Sequence, residues 1–411
     1  MREGTEEPDA RRPAWRSLLA AYFVVSLIEA AGVSQIFALL PARLLELGLT
    51  GEGRLTFIGI FSAGIFVVGA PLVPLWGVWA DKHSRTMVIA RSAVVEAIVF
   101  AGVALAAAPW QLALAVLLVG FQLGNTGVML AAIRDVAPRP RIGLAVAVFG
   151  ASGPIGFALG PAAAGLLIDG IGWSLPAVFW LSSGLSVAAA LLVWLGTTEV
   201  RPAVVPTGPT LHLAYAALRG VLTDATVRRI FAIYTVAFLA TQASRPYIPV
   251  LVEGLVGTGP GLASAVALVV GAAALAGAAV SPLGGALGDR VGFQPVLLGA
   301  LTLAGVTLLA MPLAPALAAL AAAQLAFAAC IAVAGAMVFG LLATETPPER
   351  RSATLNLVYL PLYAAGIVGP ALAVGAAAAA GPAGPFVAGA LAVLIGTAVI
   401  AWRGGRIRAD A

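Results

Sequence analysis

Apolar runs, each closed by charged residues or by Gly and Pro, follow one another along the whole chain. A hydrocarbon core of about 30 Å takes about 20 apolar residues in helical form. Runs at about 15–40, 55–78, 86–107, 111–133, 143–168, 174–196, 228–252, 261–286, 294–313, 315–342, 353–380 and 384–402 approach or exceed that length, so the pattern predicts twelve membrane-crossing helices. Strands are not expected, because an open sheet edge cannot be satisfied in lipid. The only sizeable interruption, 197–227, opens with the Pro-rich RPAVVP at 201–206 and continues into LHLAYAALR at 211–219. That second stretch has the alternation of a short amphipathic helix, which predicts a linker lying on the membrane surface.

Composition agrees with burial in a bilayer. Hydrophobic residues make up 61% of the 411 positions and charged ones 10%, against about 25% charged in soluble domains. Short cytoplasmic loops retain Lys and Arg. If the N-terminus is inside, twenty of the 23 basic residues fall on that side, leaving Arg43, Arg54 and Arg245 for the other. Both termini and the linker are therefore expected in the cytoplasm, and the net charge of +5 reflects topology rather than nucleic-acid binding. Residues 1–16 are polar and charged and precede a run too long for a signal h-region, so the first helix is expected to be retained. One cysteine, Cys330, and two histidines exclude an internal disulfide and make a structural zinc site unexpected. No phosphate-binding loop joins a strand to a helix, and no Ser/His/Asp cluster or metal-ligand set is evident. An enzyme, direct ATP drive and a bound cofactor are all disfavoured.

The charged cluster Gly77-Val-Trp-Ala-Asp81-Lys82-His-Ser-Arg85 stands between the second and third runs, and Gly285-Ala-Leu-Gly-Asp289-Arg290-Val-Gly292 stands 208 residues later at the end of another run. Asp135, Pro138 and Arg141 are echoed by Glu345, Pro348 and Arg351 at an offset of 210, and Gly160-Pro161 by Gly369-Pro370 at 209. Three echoes near half the chain length indicate a duplicated six-helix unit. In both clusters Gly precedes Asp by four residues, about one helical turn, which predicts a close approach of another helix beneath the acid.

Gly-x-x-x-Asp-Arg/Lys-x-Gly-Arg at this place resembles the signature of the major facilitator superfamily, with Ser84, Thr86 and Phe293 as departures. The resemblance implies an all-α membrane protein, twelve transmembrane helices in two pseudo-symmetric six-helix bundles. Its parts would be a cytoplasmic tail at 1–14, the first bundle at 15–197, the linker at 198–227, the second bundle at 228–403 and a tail at 404–411. It also implies that Gly77, Asp81, Lys82, Arg85 and Asp135, with Asp289, Arg290 and Glu345 in the second copy, form a cytoplasmic latch, Asp81 facing the start of helix eleven. In the fifth run, Gly156-x-x-x-Gly160-Pro161-x-x-x-Gly165 predicts tight helix packing. It also resembles the fifth-helix motif of the twelve-helix drug/proton antiporter branch, although Ala115 stands where that branch usually has an intramembrane Arg. The function implied is proton-coupled efflux of small amphipathic compounds. The alternative is proton-coupled or facilitated transport of a sugar, an organic anion or another metabolite.

Ionisable groups inside the runs are few, and such groups are costly in lipid. Glu29 lies about 20 Å along the helix from both Arg16 and Arg43, near the bilayer centre. It can carry the coupling proton, or it can be paired with Arg245 or bonded to a neighbouring helix. Glu96 is a second proton-site candidate that can equally bond a neighbouring helix, while Arg91 is expected to snorkel to the inner surface. Arg245 is placed in the outer third, where it binds an anionic group, pairs with Glu29 or snorkels outward. Polar stripes at helical spacing comprise Gln122, Asn125 and Met129; Tyr234, Phe238, Thr241 and Arg245; and Asn356, Tyr359 and Tyr363. Since helices one, four, seven and ten line the cavity in the resembled family, these residues and Gln324 are the cavity candidates. The expected partners are a small-molecule substrate, protons and the lipid bilayer, with the chain acting as a monomer.

Overall fold

A computed structural model describes residues 15–345 and 359–409, which form helices and turns and contain no strand. The first helix, α1 (Trp15–Glu46), continues six residues beyond the predicted run, through Pro41. Pro71 and Pro74 withhold backbone donors and divide the second run into α2 (Gly51–Gly69) and α3 (Val73–Lys82). In α4 (Arg85–Leu105) the Ser84 hydroxyl caps the first turn by accepting from Met87 N at 3.0 Å. The fourth run is not one helix. After α5 (Pro109–Leu118) comes a 3-10 turn at Val119–Gln122, then Gly124 at φ +102°, and only then α6 (Asn125–Val136). A left-handed residue in the middle of an apolar run requires glycine.

Next come α7 (Ile142–Gly165), α8 (Leu175–Gly196) and the linker helix α9 (Thr210–Leu222). The seventh run divides at the 3-10 turn Arg245–Tyr247 into α10 (Ala225–Ser244) and α11 (Ile248–Val256). The chain then forms α12 (Leu262–Val291), α13 (Phe293–Ala310), α14 (Leu317–Glu345), α15 (Leu360–Ala380) and α16 (Gly384–Ala409). Among the described residues ten stretches are long and apolar enough to cross a membrane. The divided seventh run is not among them, and α15 and α16 join through a short turn into one apolar stretch, Leu360–Trp402.

Helix α1 packs on α7, α4 on α8, α12 on α14, and α10 on α15 and α16. Two further contacts, α12 on α7 and α15 on α2, join the first half of the chain to the second. Small residues allow these approaches, as expected where lipid supplies no hydrophobic drive between helices. A Cβ on Gly156 would lie 2.7 Å from Ala30 Cβ, one on Gly160 2.8 Å from the Ala31 carbonyl carbon, and one on Gly165 2.9 Å from Ser264 Cα.

Gly59 of α2 meets Pro370 and Val374 of α15, in the half of the bundle that carries Arg54. At the opposite end, where Asp81 lies, a Cβ on Gly77 or Gly285 would meet open space. Among the described residues nothing approaches Gly77 or Gly285 closely, and the start of helix eleven, which Asp81 was expected to face, lies outside the described residues. The linker helix α9 docks on α3, with Lys82 Nζ donating to Gly208 O at 2.5 Å and Tyr215 Oη to Pro71 O at 3.2 Å.

Candidate functional site

The break in the fourth run sets the geometry of the centre. Because the chain turns at Gly124, Asn125 becomes the first residue of α6 and its side chain meets α1. Asn125 Nδ2 donates to both oxygens of Glu29, at 2.7 and 2.5 Å, and Glu29 and Asn125 are 6% and 5% exposed. A carboxyl in mid-bundle therefore rests on an amide at the positive end of a half-helix, an arrangement suited to holding negative charge where water is scarce. The carbonyl of Gln122, released by the break, accepts from Ser92 Oγ at 2.5 Å. Glu29 is not paired with Arg245.

Glu96 is 1% exposed and faces away from solvent. Ser186 Oγ of α8 donates to its Oε2 at 3.0 Å, while Oε1 has no hydrogen-bond partner and lies 2.7 Å from where a Cβ of Gly32 would be. Gly32 is three residues beyond Glu29 on α1, so the second buried carboxyl abuts the same face of that helix. The Arg91 guanidinium lies 3.7 Å over the ring of Trp76, the neighbour of Gly77, with Nε and Nη1 unpartnered.

Arg245 opens the 3-10 turn between α10 and α11. Its guanidinium lies 4.6 Å from the Phe37 ring centroid and 5.4 Å from that of Phe157, and its Nε has no partner. Stacking of this kind contributes about 0.5–2 kcal/mol. Tyr234 packs edge-on against Phe238 at 4.8 Å, and Tyr363 lies 6.2 Å from Phe66. Tyr359 is close enough to influence both Tyr234 and Tyr363, so these aromatic positions gather between α10, α14 and α15. Thr241 Oγ1 and Gln324 Oε1 are buried and unpartnered. Met129, one turn beyond Asn125 on α6, is fully buried in an apolar cluster with Tyr22, Val25 and Ile133. Asn356 lies outside the described residues, as does the side chain of Glu345.

At the Asp81 end, Arg85 is 3% exposed and bonds both acids, Asp81 at 2.9 Å and Asp135 at 2.6 Å. Glu199, which sequence reasoning passed over, completes the cluster. It accepts from Arg85 N at 2.8 Å and from the Ser84 hydroxyl, neutralising the positive end of α4. In the second copy Asp289 and Arg290 are exposed and form no ion pair among the described residues.

At the other end two contacts missed by the sequence reading hold the halves of the chain together. Arg54 and Glu253 form a two-pronged ion pair at 2.8 and 2.5 Å, and Arg54 Nε donates to Pro41 O at 2.9 Å. Asp169 accepts from Gly261 N at 2.9 Å and Ser264 N at 2.7 Å, capping α12. An acid just past an apolar run, facing a Gly-rich helix start, was the available signal for Asp169.

Comparison with known proteins gives a consistent family. The family model of the Major Facilitator Superfamily matches residues 17–271 and 230–409. The multidrug resistance protein MdtG of Citrobacter koseri is 28% identical over 298 residues, 72% of this chain and 72% of that protein. MdtG of Enterobacter lignolyticus is 27% identical over 299 residues, covering 72% and 70%. Among solved structures, the inward-facing, occupied bacterial homologue of the human lysosomal transporter Spinster superposes with a TM-score of 0.75 at 15% identity, covering 96% of this chain and 97% of that one. The human organic anion transporter MFSD10 gives 0.69 at 17% identity, covering 94% and 100%.

Proposed function

We propose that this chain, which belongs to the major facilitator superfamily, is a secondary transporter of the cell inner membrane that exports small amphipathic compounds in exchange for protons. It works by alternating access between two six-helix bundles, 15–197 and 228–403, with twelve crossings in all. The observation that carries this reading is Glu29, an acid near the bilayer centre held by Asn125 at the start of a half-helix. A carboxyl so placed can exchange a proton for a substrate as the cavity opens to each side. The MdtG relatives, named multidrug resistance proteins, support efflux. The test is transport of the neutral dye N-phenyl-1-naphthylamine by the full chain in proteoliposomes. An imposed pH gradient should drive its movement, and a rate independent of the gradient would defeat the reading.

In this proposal the Asp81 end, both termini and the linker face the cytoplasm, and the structure is inward-open. A cysteine at Gly208 is then expected to react with an impermeant maleimide only from the cytoplasmic side, and one at Thr258 only from outside; the reverse labelling defeats the topology. The Asp81–Arg85–Asp135 cluster acts as the cytoplasmic latch when that end closes. Partly exposed pairs of this kind are worth about 0–1 kcal/mol each, so Asp81→Asn is expected to enrich the inward-open form by up to about fivefold. Accessibility of the Thr258 cysteine that is the same with and without Asp81→Asn would reduce the cluster to a topology signal.

A further inference from the structure

Arg245 is a half-buried cation that forms no ion pair among the described residues. Among the described residues no carboxylate lies within 4 Å of it: Glu29 is held by Asn125, and Glu253 by Arg54. Near it the Arg54–Glu253 pair and Tyr247 Oη, which donates to Leu55 O at 3.0 Å, join the two halves of the chain. What surrounds the guanidinium is apolar or neutral. Phe37 and Phe157 cover it, and Ser62, Phe66, Gln242 and prolines pack beside it. Aromatic faces hold the guanidinium plane in place while leaving its N–H edge, where Nε is unpartnered, to be satisfied by something else. A charge in such surroundings is costly unless paired.

We infer that Arg245 with Phe37 and Phe157 is the site for the anionic group of the transported compound, so that the substrates include aromatic or polycyclic molecules bearing a carboxylate, sulfonate or phosphonate. This deepens the proposed function and rests on it. The planar guanidinium binds such groups through paired N–H donors, and the phenyl rings accept the apolar body next to it. Phe37 lies eight residues from Glu29 on α1, about 12 Å along the axis, so the anion and the coupling acid occupy separate levels of the pathway. The rings come from the first half of the chain and the guanidinium from the second. The site is therefore assembled only while the Arg54 end is shut.

The test is binding of 2-naphthoate and its uncharged amide, 2-naphthamide, to the purified full chain by equilibrium dialysis. The naphthoate should bind more tightly. In Arg245→Gln the ratio of the two affinities should fall about tenfold or more, the order expected for one charge-assisted pair, whereas Arg245→Lys should keep part of it. Equal binding of both compounds by the parent, or an equal loss of both in Arg245→Gln, overturns the assignment. If Arg245→Gln does not fold, the same ratio in Arg245→Lys and Phe157→Leu decides, and an unchanged ratio in both overturns the assignment. Gradient-driven efflux of N-phenyl-1-naphthylamine by the parent separates the two ideas. Intact efflux without naphthoate preference removes the anion site alone, and naphthoate preference without proton-driven efflux leaves that site and removes the exchange mechanism.

Discussion

Glu29→Gln is expected to bind N-phenyl-1-naphthylamine within about twofold of the parent and to move none of it against a gradient. Glutamine keeps the shape and one acceptor oxygen, so Asn125 Nδ2 retains a partner and α6 keeps its start. What is lost is the exchange of a proton. The variant behaves at every pH as the protonated acid does, so its dye binding should be flat with pH, whereas the parent's should change as Glu29 gains or loses its proton. Downhill counterflow should persist, because that requires the conformational cycle without deprotonation. Asn125→Ala should leave the carboxyl without its two hydrogen bonds, at a cost of about 1–3 kcal/mol, and move the pH dependence without abolishing it. If Glu29→Gln still pumps with the proton gradient, the role passes to Glu96, the other fully buried acid against α1.

The second large effect concerns the closed end. Arg54 is 5% exposed and Glu253 is largely covered, so this two-pronged pair is drier than a surface ion pair and joins α2 to α11 across the two halves of the chain. Glu253→Gln removes the charge and one acceptor oxygen, leaving Arg54 a single neutral prong to the amide oxygen beside its bond to Pro41 O. A hydrogen bond to a charged group at such a site is worth about 2 kcal/mol, roughly a thirtyfold change in the ratio of closed to open forms at that end. Reactivity of a cysteine at Ser62 towards an impermeant maleimide added outside should rise accordingly. The exchanged pair Arg54→Glu with Glu253→Arg should return most of the protection. Failure of Glu253→Gln to raise labelling would mean that Asp169 and the α7–α12 packing hold the closure alone.

The large-scale architecture was readable because its physical causes are local. Length of apolar runs, charges at their ends and a repeat near half the chain all follow from the bilayer's thickness and from duplication, and they anticipated an all-helical membrane protein of this family. The central break was not readable. Gln122 and Asn125 read as a polar stripe on one continuous helix, and Gly120 and Gly124 look like packing glycines until φ at Gly124 is known. Nor could Arg54 and Glu253 be joined, since 199 residues separate them and no periodicity links their elements. The stacking of Arg91 on Trp76 was not readable either, because it joins two different runs. The contact expected at Gly77 involves the start of helix eleven, which lies outside the described residues.

The docking of α9 on α3 has a mechanical meaning. Only Thr223 and Asp224 lie between the end of α9 and the start of α10, and Asp224 caps α10 through Thr226 N and Val227 N. With Lys82 and Tyr215 fastening the linker to the first half, the slack of the nominal thirty-residue connection is largely taken up. The second half hangs from a two-residue strap rather than a loose tether. Rocking of one half against the other therefore turns about a short joint beside the Asp81 end, and the exposed stretch around Val204, on the far side of the docked helix, bears none of that load.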